Sequence, residues 1–276
     1  MQGSQAQSSK QATLSPADQF VEARQLTAEL VAPLSEEDCC IQSQLCSSPV
    51  KWHLAHTTWF FERFIVRDAL GRPPYDDRFE FLYNSYYNAV GDRHPRAQRG
   101  LLTRPGLGEV MAYRSVVDEQ VERALRAGLL SSDQLEVLQL GLSHEQQHQE
   151  LLLMDVKHLF SCNPLNTEYL SESIPATKET PRAWRAFEGG VHEIGVDEGC
   201  GAGTFDNECP THRVFLEAYE LSDRVVTNRE YLEFVRDGAY ACPAHWLDLG
   251  WAFVSEHNLQ SPLYWRENDG RWEEFT

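Results

Sequence analysis

No run of the 276-residue chain approaches the 18 or more apolar residues of a membrane-spanning helix. Basic residues are also short: 24 Lys and Arg stand against 42 Asp and Glu, a formal net charge of −18. That balance argues against nucleic acid and anionic membrane as partners, because both are bound through positive surface. The opening stretch "MQGSQAQSSKQATLSP" holds no hydrophobic segment, so residues 1–15 read as a disordered tail and not as a signal peptide. No Cys-x-x-Cys pair occurs among Cys39, Cys40, Cys46, Cys162, Cys200, Cys209 and Cys242. An odd count without a secretion signal points to reduced thiols and a cytoplasmic setting. What the chain does have is apolar material, 42% of residues with 11% aromatics, enough for a real core.

Four amphipathic segments are expected to be helical. The first begins at Ser15-Pro16 and runs through "ADQFVEARQLTAELVA". The second follows Ser48-Pro49 as "VKWHLAHTTWFFERFIVRDAL" and stops at Gly71. The third opens near Thr103, covers "GEVMAYRSVVDEQVERALRAG" and ends at Gly128. The fourth starts at Ser131 or Ser132 and holds "DQLEVLQLGLSHEQQHQELLLMDVKHLF". Together they predict a four-helix bundle over residues 16–160, a fold whose facing helices commonly build a metal site. The connection from about 71 to 104 is rich in aromatics and arginines and reads as too polar for core. Residues 161–183 read as a linker. After it, glycines and short alternating runs such as "HRVFLEAYEL", with one helix at 227–236, predict a second, loop-rich α+β unit over 184–276. That unit is expected to be incomplete, with Trp246, Trp251, Trp265 and Trp272 more exposed than in a finished fold and the 161–183 linker open to proteolysis.

The chemistry-bearing pattern is His144-x-x-x-His148. Residues i and i+4 share one helix face about 5.4 Å apart, so two imidazoles can reach one ion. On the same helical wheel Glu150 faces away and is read as a supporting or salt-bridging group, and His158 lies too far along the axis. A further ligand must come from another helix, and the second offers His53 and His56. Three imidazoles without thiolate or carboxylate suit zinc, iron or copper, and spacing does not choose among them.

"LAH" at 54–56, "LYNSYYNAVG" at 82–91, "RGLLTRP" at 99–105 and "HEQQHQE" at 144–150 resemble the sulfoxide synthases of ergothioneine biosynthesis. "FEGGVHEIG", "FDNECPTHRVFLEAYEL", "VTNREYLEFVRDGAY" and "HWLDLGW" extend the resemblance through the second half. It implies a DinB-like four-helix iron-binding bundle, then a partial C-type-lectin-like domain of the formylglycine-generating-enzyme kind. It implies iron(II) held by His56, His144 and His148, with His53 structural. It places the carboxylate of a thiol substrate on two arginines three apart. Arg96 and Arg99 match best, and Arg93 offers the same spacing with Arg96. Gln147, beside a ligand, is a candidate contact for the histidine-derived substrate. The implied reaction joins the thiol of cysteine or γ-glutamylcysteine to the imidazole of Nα-trimethylhistidine, consuming O2. Two electrons come from forming the C–S bond and two from oxidising sulfur, which together reduce O2 fully. The catalytic tyrosine of the family has no match here and is expected beyond Thr276, since Tyr86, Tyr87 and Tyr113 do not fit its motif. Selenoneine- or ovothiol-type synthases, a DinB-like thiol transferase and an inactive metal-binding homologue are the competing expectations.

Overall fold

The computed structural model describes residues 14–85, 91–171, 180–197 and 203–276. The expected tail, Tyr86, Tyr87, Cys200 and part of the expected linker fall wholly or mostly outside the described residues. The chain forms two compact units, one holding the chain up to Ser171 with Gly195–Thr211, the other Glu172–Ile194 with His212–Thr276. The division therefore differs from a single linker at 161–183, because a segment from the second half packs with the bundle.

In the first unit, α1 (Pro16–Val31) starts where Pro16 sits at a position whose N–H has no helical partner. The Ser15 hydroxyl accepts the Asp18 N–H there. The next helix, α2 (Val50–Phe61), is buried over all twelve residues, Lys51, His53 and His56 included. A helix enclosed on every side must be the central one, and it packs against α4 (Leu107–Arg126) and α5 (Ser132–Ser161). Gly141 of α5 lets the helices approach closely: a Cβ there would lie 2.6 Å from Phe61 and 2.7 Å from Phe60. Beyond Phe61 the helix continues to Ala69 with π-helical pitch, then ends at Gly71 with φ +65°. At the change of pitch the buried Glu62 accepts hydrogen bonds from the Tyr113 hydroxyl (2.7 Å) and the Tyr75 N–H (2.6 Å).

The 71–104 connection departs from expectation. It carries a short helix, α3 (Arg78–Tyr83), and buries Phe79, Tyr83, Asn84, Ser85 and Arg99. Phe79 and Tyr83 are core, whereas Tyr75 and Phe81 are exposed, and Asn84, Ser85 and Arg99 are buried because they find hydrogen-bond partners.

Among its described residues the second unit has three two-stranded antiparallel sheets: β1 (Trp184–Phe187) with β4 (Tyr219–Ser222), β2 (Gly190–Ile194) with β3 (His212–Leu216), and β5 (Trp265–Asn268) with β6 (Arg271–Glu274). Helix α6 (Asn228–Arg236) occupies the expected place, capped by Thr227 and Glu230. A further helix, α7 (Asp248–Glu256), was not legible in advance. Trp246, Trp251, Trp265 and Trp272 are half-buried, and aromatic neighbours such as Phe234 and Tyr240 cover Trp246. The architecture is thus helical first, then mixed helices and small sheets.

Candidate metal centre

Central helix α2 supplies His56, and α5 supplies His144 and His148 on one face. Their ring centroids form a near-equilateral triangle, with sides of 4.9 Å (His56–His144), 4.7 Å (His56–His148) and 4.6 Å (His144–His148). One nitrogen from each ring lies within 4.8 Å of the others. His56 is fully enclosed and His144 is 9% exposed. His56 Nδ1 donates to the Tyr83 carbonyl at 2.5 Å, leaving Nε2 as a lone pair. That Nε2 faces His144 Nε2 at 3.1 Å. Two donors on one ion with bonds of about 2.0–2.1 Å stand about 2.9–3.4 Å apart, so this pair fits a shared cation.

Burial pushes all three imidazoles toward the neutral, ligating form. It takes His144 down to about 4. For His56 and His148 burial is again the first cause of the lowering, and neighbouring imidazoles add to it. A metal ligand must be deprotonated, so a dry histidine cluster is poised to bind one.

His53 lies outside the three-histidine group but is tied to it. Its Nδ1 is 2.8 Å from His148 Nδ1, and its Nε2 is 3.1 Å from Asp155 Oδ2. It therefore touches a candidate ligand. Asp155 was missed, although the pattern could have found it. Seven residues beyond His148 is close to two full turns, which returns the carboxylate to the histidine face. Glu150, read as the supporting carboxylate, is exposed. Gln147 is exposed as well, and the buried glutamine is Gln149, which donates to the Ala23 carbonyl at 2.9 Å. His158 instead contacts the Ser43 hydroxyl at 2.8 Å.

Arg93, Arg96 and Arg99 line a common cleft of about 250 Å³ with Ser85 and His94, so both registers lead to the same place. Arg99 is the fixed member: 4% exposed, it donates to the Ser48 and Ser85 hydroxyls (2.9 and 3.0 Å). Its guanidinium carbon lies 3.3 Å from the centroid of Trp52, whose ring stacks on His56 at 4.5 Å. Arg93 and Arg96 are exposed, and Arg93 donates to the Ser85 carbonyl. One positive cleft thus adjoins, through Trp52, the ring of a candidate ligand.

Also unforeseen is the ion network behind His144. Glu145, with no exposure, accepts from Arg24 and Arg114 (2.6 Å each) and from Thr27 (2.6 Å). Burial alone would push its carboxyl up, but the two guanidiniums and the Thr27 hydroxyl hold it at about 2.

A helical bundle with a buried three-histidine cluster defines the class of the first unit. Residues 19–152 match the DinB superfamily model. Over most of its length the chain is similar to proteins named hercynine oxygenase. The identity is 30% with that of Mycolicibacterium smegmatis (92% of this chain, 58% of the relative). It is 29% with that of Mycolicibacterium thermoresistibile (92% and 55%) and 28% with that of Mycobacterium tuberculosis (88% and 56%). These matches bear out the resemblance read from the sequence motifs. The chain spans a little over half the length of these curated relatives.

Proposed function

We propose that the protein belongs to the working part of a non-haem iron(II), O2-dependent sulfoxide synthase. It would join the thiol of cysteine or γ-glutamylcysteine to the imidazole of Nα-trimethylhistidine. The observation that carries the reading is the convergence of His56, His144 and His148 inside a DinB-type bundle, in a chain similar to hercynine oxygenases. Iron(II) held by these three neutral donors would supply the O2 and electron-transfer chemistry. The chain's own residues do the rest by placement. Tyr83 and His53 hold two of the imidazoles by their far nitrogens. Arg99, locked by Ser48 and Ser85, presents a fixed cation, and Arg96 an adjustable one, to the carboxylate of the thiol substrate. Such two-ended fixation brings reacting groups together without asking the protein to react itself. The motifs of the second half support assigning that unit to the formylglycine-generating-enzyme kind of fold.

The test is anaerobic loading with iron(II), then oxygen uptake. One iron per chain is expected, most of it lost in His56→Ala, His144→Ala or His148→Ala, because three donors leave little redundancy. Oxygen uptake should require both the thiol and Nα-trimethylhistidine. Undiminished iron in His56→Ala would sink the ligand assignment, and uptake indifferent to the second substrate would sink the C–S bond.

A further inference from the structure

We infer that Asp155 acts through His53 to hold His148 in the tautomer that offers its Nε2 lone pair to the metal. The inference rests on the metal centre proposed above and assigns positioning residues to it. Asp155 Oδ2 accepts the Ser48 N–H at 2.9 Å and lies 3.1 Å from His53 Nε2. A carboxylate only accepts, so the proton at this contact sits on His53 Nε2. A neutral imidazole, the form favoured at 2% exposure, carries one N–H, and His53 Nδ1 is therefore a bare lone pair. The 2.8 Å contact between the two Nδ1 atoms still needs one proton, and only His148 can supply it. His148 is then Nδ1–H, with Nε2 left to coordinate. Without Asp155 nothing stops His53 from carrying its proton on Nδ1, which would turn the lone pair of His148 to the wrong nitrogen. The carboxylate thus reaches the metal ligand through two exchangeable protons while touching neither ring of the other ligands.

The proposal separates from a merely structural role because tautomers are observable. Nitrogen-15 NMR of the imidazoles, in the metal-free and zinc-loaded chain, should show Nδ1–H on His148 and Nε2–H on His53. Asp155→Ala should mix the tautomers and weaken zinc binding by roughly ten- to a hundredfold. His53→Leu should do the same, and His53→Gln, whose amide oxygen can accept from His148, should recover part of the affinity. A His148 carrying Nε2–H in the metal-free parent would overturn the inference even if no variant folded. So would Asp155→Ala and His53→Leu binding zinc within about twofold of the parent, where second-sphere partners ordinarily matter tenfold or more. Zinc retained by His56→Ala would instead refute the metal centre, a failure distinct from that of the relay.

Discussion

At residue scale, the costliest single change is not in the ligands but beside them. Glu145 neutralises Arg24 and Arg114 where no water reaches, and Arg24 also bonds Asp118 at 2.7 Å. Glu145→Gln removes the fully buried anion and leaves Asp118, 2.7 Å from Arg24 and 4.0 Å from Arg114, as the remaining carboxylate, and breaking a buried ion pair this way costs about 3–5 kcal/mol. Urea denaturation at neutral pH should show that loss. The sign with pH follows from the carboxyl being held at about 2, below its ordinary 4.5. Its stabilisation is complete above 4.5 and fades as pH falls toward 2, so parent and Glu145→Gln should converge over that interval. A gap that stayed constant to pH 2 would mean the carboxylate is not what holds the arginines. The two arginines proposed to hold the thiol substrate should behave differently from each other. Arg96 is exposed, so Arg96→Leu should leave stability unchanged and raise KM for the thiol roughly ten- to a hundredfold, the worth of a charge-assisted hydrogen bond. Arg99→Leu should also lose stability, because Ser48, Ser85 and Trp52 lose a shared partner. Equal thermal stability of the two variants would count against this division.

At the scale of elements, the long helices were readable because their signals are local. Ser15-Pro16, Ser131 with Gln134, Gly71 and Gly128 mark ends through capping chemistry that neighbours in sequence complete. Ser131→Ala should cost about 1 kcal/mol, read by thermal unfolding, with no effect on metal. What could not be read depends on distant partners. The 71–104 connection looked too polar for core, but its buried Arg99 is matched by the Ser48 hydroxyl, about fifty residues away in sequence. Likewise the structural role read for His53 came without named partners, because those partners, His148 and Asp155, lie about a hundred residues away. The His144–His148 spacing on α5 was legible for the opposite reason, since one helix fixes both rings. Gly141 belongs here as well: it sits one turn before His144, against Phe60 and Phe61. Gly141→Ala should therefore overpack the α2–α5 contact, cost about 1–3 kcal/mol despite alanine's better helix propensity, and weaken metal binding. A stabilised variant would show that the helices have slack.

At the scale of the whole molecule, the two units differ in how they are held. The first buries Phe20, Trp59, Phe60, Phe61, Tyr113, Leu138 and Leu152 almost completely. Among the described residues of the second, Ala239 and Val254 are the buried apolar side chains, and Trp184, Phe215 and Leu247 stand 58%, 63% and 87% exposed. Local stability follows buried apolar surface, so amide exchange should be slowest in α2 and α5 and fast throughout the three small sheets. A metal bound by α2 and α5 adds stability only to the state that contains both helices. At a free concentration one hundred times Kd the gain is about 2.7 kcal/mol. Calorimetry of the intact chain should then show two transitions, with zinc or iron(II) raising the one that carries the bundle and leaving the other in place. Hydrogen exchange should assign them, protection on metal addition appearing around His56, His144 and His148 but not in β1–β6. In His56→Ala the upper transition should stop responding to metal while the lower one is unaltered. A single transition that moved as a whole with metal would instead mean that the units unfold together, and that the second unit draws its stability from the first.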